Sequence, residues 1–425
     1  MTHGESRAAG AQRPGAGAEL VASVDVRAAR RALEGAAVRT PLLACALAPP
    51  ARGGSVALKA ECLQRTGSFK LRGALAKLSA LGDRAAAGLV TASAGNHARA
   101  VAYAARLRGV SCEVFMPGEV PASKLAAVQQ LGARVELGGG SVDEALELAA
   151  ARAAATGATL VHPFDDLDVI AGQGTVALEL IEDAPQLRRV VLPLGGGGLA
   201  GGVGAALRQV GAEVEIVGVQ ARSCAPYARL WEGDAAADAP NAAAGATIAD
   251  GIAVKRPGAI TGPLVRELLH EVVTVGEEEI ADAMVFLVEH AKLVAEGAGA
   301  VAVAALRSGR LPEAEGLTVA VVSGGNVDSG LLAGLLLRHE TAEGRRVRLF
   351  TRVPDRPGAL AELLELVARA GANLVSVEHV REALPLHVRE TGVELTLQTR
   401  GPAHTGELLA SLAEAGYEVS EPRMS

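Results

Sequence analysis

The chain has 425 residues, which is too many for one simple core and points to two or three domains. Hydrophobic residues make up 49% of it, charged residues 21% and aromatic residues 2%, with a formal net charge of -7. Such a chain should fold, and its few rings and negative charge argue against nucleic-acid binding and against electrostatic capture by an anionic membrane. No run of about 20 apolar residues is free of charged or glycine breaks, so no membrane span is expected. The N-terminal residues lack an apolar leader core, so a cytoplasmic location is expected. Cys45, Cys62, Cys112 and Cys224 form no CxxC pair, which leaves neither a disulfide framework nor a zinc knuckle.

In chain order, residues 1–20 are rich in Gly, Ala and Arg without hydrophobic period and are expected to be a disordered tail. Asp25 is placed to cap a helix over Val26–Leu33. From Val56 onward short apolar runs alternate with helical stretches. Strands are expected at Gly88–Ala92, Ser111–Met116, Arg134–Leu137, Thr159–Val161, Val190–Leu194, Val214–Gln220 and Thr318–Val322. Helices are expected at Asn96–Arg108, from about Pro121 to Leu131, and over Ser141–Ala155, where Ser141 and Glu144 make a capping box. Valine- and leucine-rich strands alternating with such helices imply a mainly parallel α/β sheet covered on both faces. The polar stretch near 338–346 reads as a linker between a domain at 21–337 and a smaller one at 347–425. The latter shows the order βαββαβ, a ferredoxin-like arrangement, ending in a strand at Tyr417–Glu421.

Three strand ends carry small or polar turns. Ser93-Ala94-Gly95-Asn96-His97 follows the first strand and opens a helix. Gly195-Gly196-Gly197-Gly198-Leu199 also opens a helix, and its backbone can wrap a phosphate at that helix N-terminus, although a flexible loop has the same composition. Ser323-Gly324-Gly325-Asn326 follows the last strand. In open α/β sheets ligands collect at such carboxyl ends. Lys70 lies between Phe69 and Leu71 at the start of an apolar helix. Alone it would be read as a surface lysine, and His97 alone as a structural histidine.

Together, Lys70 in SFKLRGA, then SAGNH, GGGGL and SGGN in that order resemble the fold-type II pyridoxal-phosphate enzymes, most closely the threonine/serine dehydratases. His162-Pro163-Phe164-Asp165-Asp166 and Ala249-Asp250-Gly251-Ile252-Ala253-Val254-Lys255-Arg256-Pro257-Gly258 add to the likeness, which covers about residues 24–335. The resemblance implies two open parallel-sheet α/β subdomains and a pyridoxal 5'-phosphate cofactor. It makes Lys70 the Schiff-base residue and the base at Cα. Phe69 would lie against the cofactor ring, Asn96 would bond the ring hydroxyl, and Gly195, Gly196, Gly197, Gly198 and Leu199 would hold the phosphate. Ser323 would face the pyridine nitrogen. A neutral partner there suits loss of a β-hydroxyl better than a long-lived carbanion. The turn Ser93, Ala94, Gly95, Asn96 and His97 would hold the substrate carboxylate. The implied reaction converts L-threonine to 2-oxobutanoate and ammonia, with L-serine as a slower substrate. A serine-preferring or hydroxyaspartate dehydratase is the alternative, and a non-catalytic amino-acid-binding protein is the competing class.

Two departures narrow the activity. Related serine racemases carry a second Ser where this chain has Ala94, so racemisation is not expected. Some relatives bind a divalent ion from a Glu where this chain has Gln220, followed by Cys224 and Pro226, so no metal site is expected. The tail resembles an ACT-type regulatory module, with Asp355, Arg356, Pro357 and Gly358 at its first strand–helix turn. That resemblance implies a branched-chain amino-acid effector, feedback in isoleucine biosynthesis and a homodimer or homotetramer. A dimerisation module without ligand remains open.

Overall fold

The computed structural model describes residues 16–47, 54–232, 246–312, 314–380, 387 and 389–420. The chain divides into two compact units between Val327 and Asp328. In the first unit a six-stranded sheet runs in the order Leu42–Cys45, Ser55–Lys59, Leu317–Val321, Leu187–Pro193, Glu215–Ala221, Glu271–Val275. Every neighbouring pair is parallel except the edge pair Leu42–Cys45 with Ser55–Lys59. A second, wholly parallel sheet runs Arg134–Leu137, Cys112–Met116, Leu89–Ala92, Thr159–Leu160. All five residues of Leu317–Val321 and all four of Leu89–Ala92 are buried, as strands covered on both faces must be.

Helices cover these sheets at close range. Leu167–Asp183 packs between Lys70–Leu81 and Gly198–Gln209. Glycine sets that approach: a Cβ on Gly172 would lie 2.4 Å from the Arg72 carbonyl oxygen, and one on Gly202 2.2 Å from the Ile170 carbonyl oxygen. Beneath the Lys70 helix lies a buried group of charges. Arg72 donates to Glu61 at 2.8 Å and to Glu179 at 2.7 Å, and Lys59 pairs with Glu179 and donates to the Thr40 carbonyl at 2.7 Å. Two cations and two carboxylates balance, so the penalty of burial is met only while all four stay; removing one partner of such a pair costs roughly 3–5 kcal/mol.

The second unit has a three-stranded antiparallel sheet, Arg346–Pro354, Glu390–Gln398, Asn373–Val380, with helices Ala359–Arg369 and Pro402–Glu414. Leu349, Val353, Leu363, Val367, Leu395, Leu397, Leu408 and Leu412 build its separate core. Strand Glu390–Gln398 separates the other two, which is the ferredoxin-like order.

Four sequence expectations need correction. Residues 16–20 of the expected tail belong to the helix Ala16–Ser23, because Leu20 and Val21 reach the main core; residues 1–15 lie outside the described residues. The expected linker at 338–346 is largely helix, since Ser329–Ala342 continues through its polar end and the strand begins at Arg346. The expected last strand is a single bridge, Ser420 with Phe350, and Glu421 lies outside the described residues. At Ser141 half the capping box forms: the hydroxyl accepts from the Glu144 N–H, but Glu144 Oε2 accepts from the Gly140 N–H.

Candidate active site

Lys70 is the first residue of the helix Lys70–Leu81, and the loop before it is tied to the turn after Leu317–Val321. The Phe69 N–H donates to the Ser323 carbonyl at 3.1 Å, the Gly325 N–H to the Gly67 carbonyl at 2.9 Å, and Ser68 bridges Gly324. The amine of Lys70 lies half-buried, 5.3 Å from the Phe69 ring centroid, and donates to the Pro163 carbonyl at 2.8 Å. Burial pushes its pKa down to about 8, against the Glu296 carboxylate, which raises it. A sizeable neutral fraction at neutral pH makes this amine a nucleophile and a base.

The glycine turn follows the strand Leu187–Pro193. Among the described residues, the N–H groups of Gly195, Gly196 and Gly197 make no hydrogen bond, and they stand at the N-terminus of Gly198–Gln209. Leu199 lies in its first turn. Gly197 has φ +91. A Cβ on Gly196 would lie 2.2 Å from the Phe164 ring. The glycines therefore serve packing as well as an anion. The segment His162–Asp166 stitches the site together. Pro163 receives Lys70, Phe164 covers Gly196, and Asp165 accepts from the N–H groups of Ala259, Ile260 and Thr261 at 2.8–2.9 Å, capping Thr261–Leu268.

The third turn starts at Ser93, whose hydroxyl accepts from the Gly95 N–H at 3.1 Å. Among the described residues the N–H groups of Ala94, Asn96 and His97 make no hydrogen bond. Gly95 faces open space. His97 offers no side chain to this opening: its ring is 2% exposed, and Nε2 meets the Val161 carbonyl at 3.0 Å. That corrects its expected side-chain role at the substrate. Burial and the Lys70 charge push its pKa down to about 3.

Ser323 is buried, and its hydroxyl lies 3.5 Å from the Ala298 carbonyl. Asn96 is bonded to Asn326 and to Glu296. Glu296 escaped the sequence reading, although a lone acid among Val294, Ala295, Gly297 and Ala298 was a usable signal. Burial, then Asp250, holds its pKa up at about 7, against the Asn96 amide, Lys124 and Arg99. Gln220 is committed elsewhere, donating to the Leu194 carbonyl and accepting from the Ala228 N–H, both at 3.0 Å. Among the described residues no group of three His, Cys, Asp or Glu is placed to hold a metal. No helix among them is long and apolar enough to cross a membrane. In the second unit the turn Asp355–Gly358 is exposed, with Gly358 at φ +91 and Arg356 paired to Glu362 at 2.8 Å.

A half-buried amine with a lowered pKa, free N–H groups at a helix N-terminus, and a buried hydroxyl with one long contact meet at the strand ends. That set fits pyridoxal phosphate. Residues 33–324 match the family model "Pyridoxal-phosphate dependent enzyme", and residues 347–414 match "ACT domain". The chain is 44% identical over 403 residues to an L-threonine ammonia-lyase of Thermotoga maritima, covering 94% of this chain and 99% of that one. A solved bacterial-type relative, the T.th. threonine deaminase, is 38% identical at a TM-score of 0.65, covering 72% of this chain and 98% of that one. Maize serine racemase is 32% identical at a TM-score of 0.67, covering 75% and 99% respectively. The chain belongs to the pyridoxal-phosphate-dependent enzyme family and carries a C-terminal ACT domain.

Proposed function

We propose that this chain is an L-threonine ammonia-lyase, releasing 2-oxobutanoate and ammonia, with L-serine as a second substrate. The observation that carries the reading is the Lys70 amine, half-buried, low in pKa and held on the Pro163 carbonyl beside the glycine turn. Gly195, Gly196, Gly197, Gly198 and Leu199 would hold the cofactor phosphate through their N–H groups, Phe69 would lie along the ring, Asn96 would donate to the ring hydroxyl, and Ser323 would meet the pyridine nitrogen. When bound, pyridoxal phosphate supplies an electron-withdrawing ring that acidifies Cα of an amino acid.

The chain's own groups supply the rest. The N–H groups of Ala94 and Asn96, with the Ser93 hydroxyl, orient the substrate carboxylate. Lys70 in its neutral form removes the Cα proton, and the β-hydroxyl departs as water. The released enamine then takes up water and loses ammonia. Ala94 carries no proton to the opposite face, which favours elimination over racemisation despite the likeness to a serine racemase. Steady-state rates with L-threonine, L-serine and β-hydroxyaspartate test the substrate, and a larger kcat/KM for serine or hydroxyaspartate than for threonine would replace this reading.

The ACT domain binds a branched-chain amino acid, isoleucine or valine, at the turn Asp355, Arg356, Pro357 and Gly358, and the enzyme is a homodimer or homotetramer serving isoleucine biosynthesis. Support comes from the exposed turn at a helix N-terminus and from the family match. Calorimetry of the full chain with isoleucine and valine tests it; absence of heat with both would leave an assembly module.

A further inference from the structure

Asn96 lies in a chain of side chains whose direction is set at both ends. Arg99 Nη1 donates to Asn326 Oδ1. Asn326 Nδ2 donates to Asn96 Oδ1 at 2.6 Å and to the Thr66 carbonyl at 2.8 Å. Asn96 Nδ2 donates to Glu296 Oε1. A guanidinium can only donate and an ionised carboxylate can only accept, so neither amide can turn over without setting like against like.

The backbone is cleared for this chain at two glycines. A Cβ on Gly67, which has φ +78, would lie 2.5 Å from Asn326 Oδ1, and one on Gly324 would lie 2.1 Å from Glu296 Oε1. The segment delivering Glu296 is also irregular. A π-helical turn, Leu287–Ala291, ends at Lys292, the one described non-glycine residue with positive φ. Such turns gather at functional sites. Glu296 is 7% exposed and faces Asp250, Lys124, Arg99 and Lys70, from four different elements.

We propose that Asn326 and Glu296 are positioning residues in a one-way hydrogen-bond relay, Arg99 to Asn326 to Asn96 to Glu296, which leaves the second Asn96 N–H as the donor to the cofactor's ring hydroxyl. The relay rests on the pyridoxal-phosphate reading of the site. Asn326→Asp reverses its middle. A carboxylate there still accepts from Arg99 but offers no hydrogen to Asn96, whose amide must turn over and set its oxygen against Glu296. In Asn326→Asp/Glu296→Gln the new amide supplies a hydrogen to Asn96 Oδ1. That relieves the repulsion but leaves the polarity reversed.

The test uses the full-length holoenzyme, with melting temperature, pyridoxal-phosphate dissociation constant by equilibrium dialysis, and the visible absorption band as readouts. Asn326→Asp should lower the melting temperature, move the band and weaken cofactor binding about tenfold, or roughly 1.4 kcal/mol. The double variant should regain the melting temperature but neither the affinity nor the band. Glu296→Gln alone, the milder change, should keep the fold while weakening binding and moving the band, and it carries the test if Asn326→Asp fails to fold. Parental affinity and an unmoved band in the single variants would overturn the relay, as would a double variant that regains affinity together with melting temperature. A parent chain that took up no pyridoxal phosphate would overturn the cofactor reading first, before any substitution.

Discussion

The titration of Lys70 can be read directly in the cofactor-free full-length protein. An ordinary lysine has a pKa of 10.5, and burial brings Lys70 to about 8. At pH 7 the neutral fraction then rises from about 0.03% to about 9%, roughly 300-fold, because each pKa unit is tenfold. Trace acylation with acetic anhydride from pH 6 to 11, followed by peptide mass analysis, gives the midpoint for Lys70 beside an unstructured lysine peptide added as standard. Using the midpoint rather than the rate removes the effect of partial exposure. The expected midpoint is near 8, and Glu296→Gln should move it lower, because the Glu296 carboxylate is the charge that raises it. The sign for stability follows from the same burial. Between about pH 8 and 10.5 the unfolded chain holds a proton that the folded chain has released, so this group's contribution to stability grows as pH rises through that window. A midpoint at 10 or above would refute the argument that burial prepares this amine.

Three further outcomes are expected. His97 has a folded pKa of about 3 against an ordinary 6.5, so its contribution to stability is complete above pH 6.5 and is lost as pH falls toward 3; at pH 5 the loss is about 2 kcal/mol. Urea unfolding followed by Trp231, the sole tryptophan, should therefore show a smaller loss between pH 8 and 5 in His97→Gln than in the parent, and equal losses would contradict it. Gly196→Ala should destabilise by about 1–3 kcal/mol through overpacking against Phe164, with part recovered when Phe164→Ala is added; a neutral Gly196→Ala would show that the ring lies elsewhere. Ser323→Asp should slow elimination and raise transamination or racemisation, because a carboxylate favours a protonated pyridine; an unchanged product profile in chiral chromatography would argue against that.

What was legible in the sequence was local. Strand, small-residue turn and helix follow one another within a few residues at Ser93–His97, Gly195–Leu199 and Ser323–Asn326, so each turn is visible where it stands. The roles of Glu296 and Phe164 depend on partners far along the chain: Glu296 meets Asn96 across 200 residues, and Phe164 explains a glycine that looks like a phosphate signature alone. His97 follows the binding turn by one residue, and helix geometry points it inward, which spacing alone does not reveal. The strand Glu271–Val275 was missed because four of its five residues are only partly buried, which weakens the apolar run. The linker was misplaced because Ser329–Ala342 has no buried residue, so a polar helix end resembled a loop.

The central claim is that Lys70 carries the cofactor with which this chain acts on amino acids. Borohydride reduction of the holoenzyme followed by peptide mass analysis tests it most directly. The account predicts the mass of a phosphopyridoxyl group on Lys70 and on none of Lys59, Lys77, Lys124, Lys255 and Lys292. It also predicts loss of 2-oxobutanoate formation in parallel with that labelling. Label on another lysine, or turnover of L-threonine by Lys70→Ala at the parental rate, would contradict it.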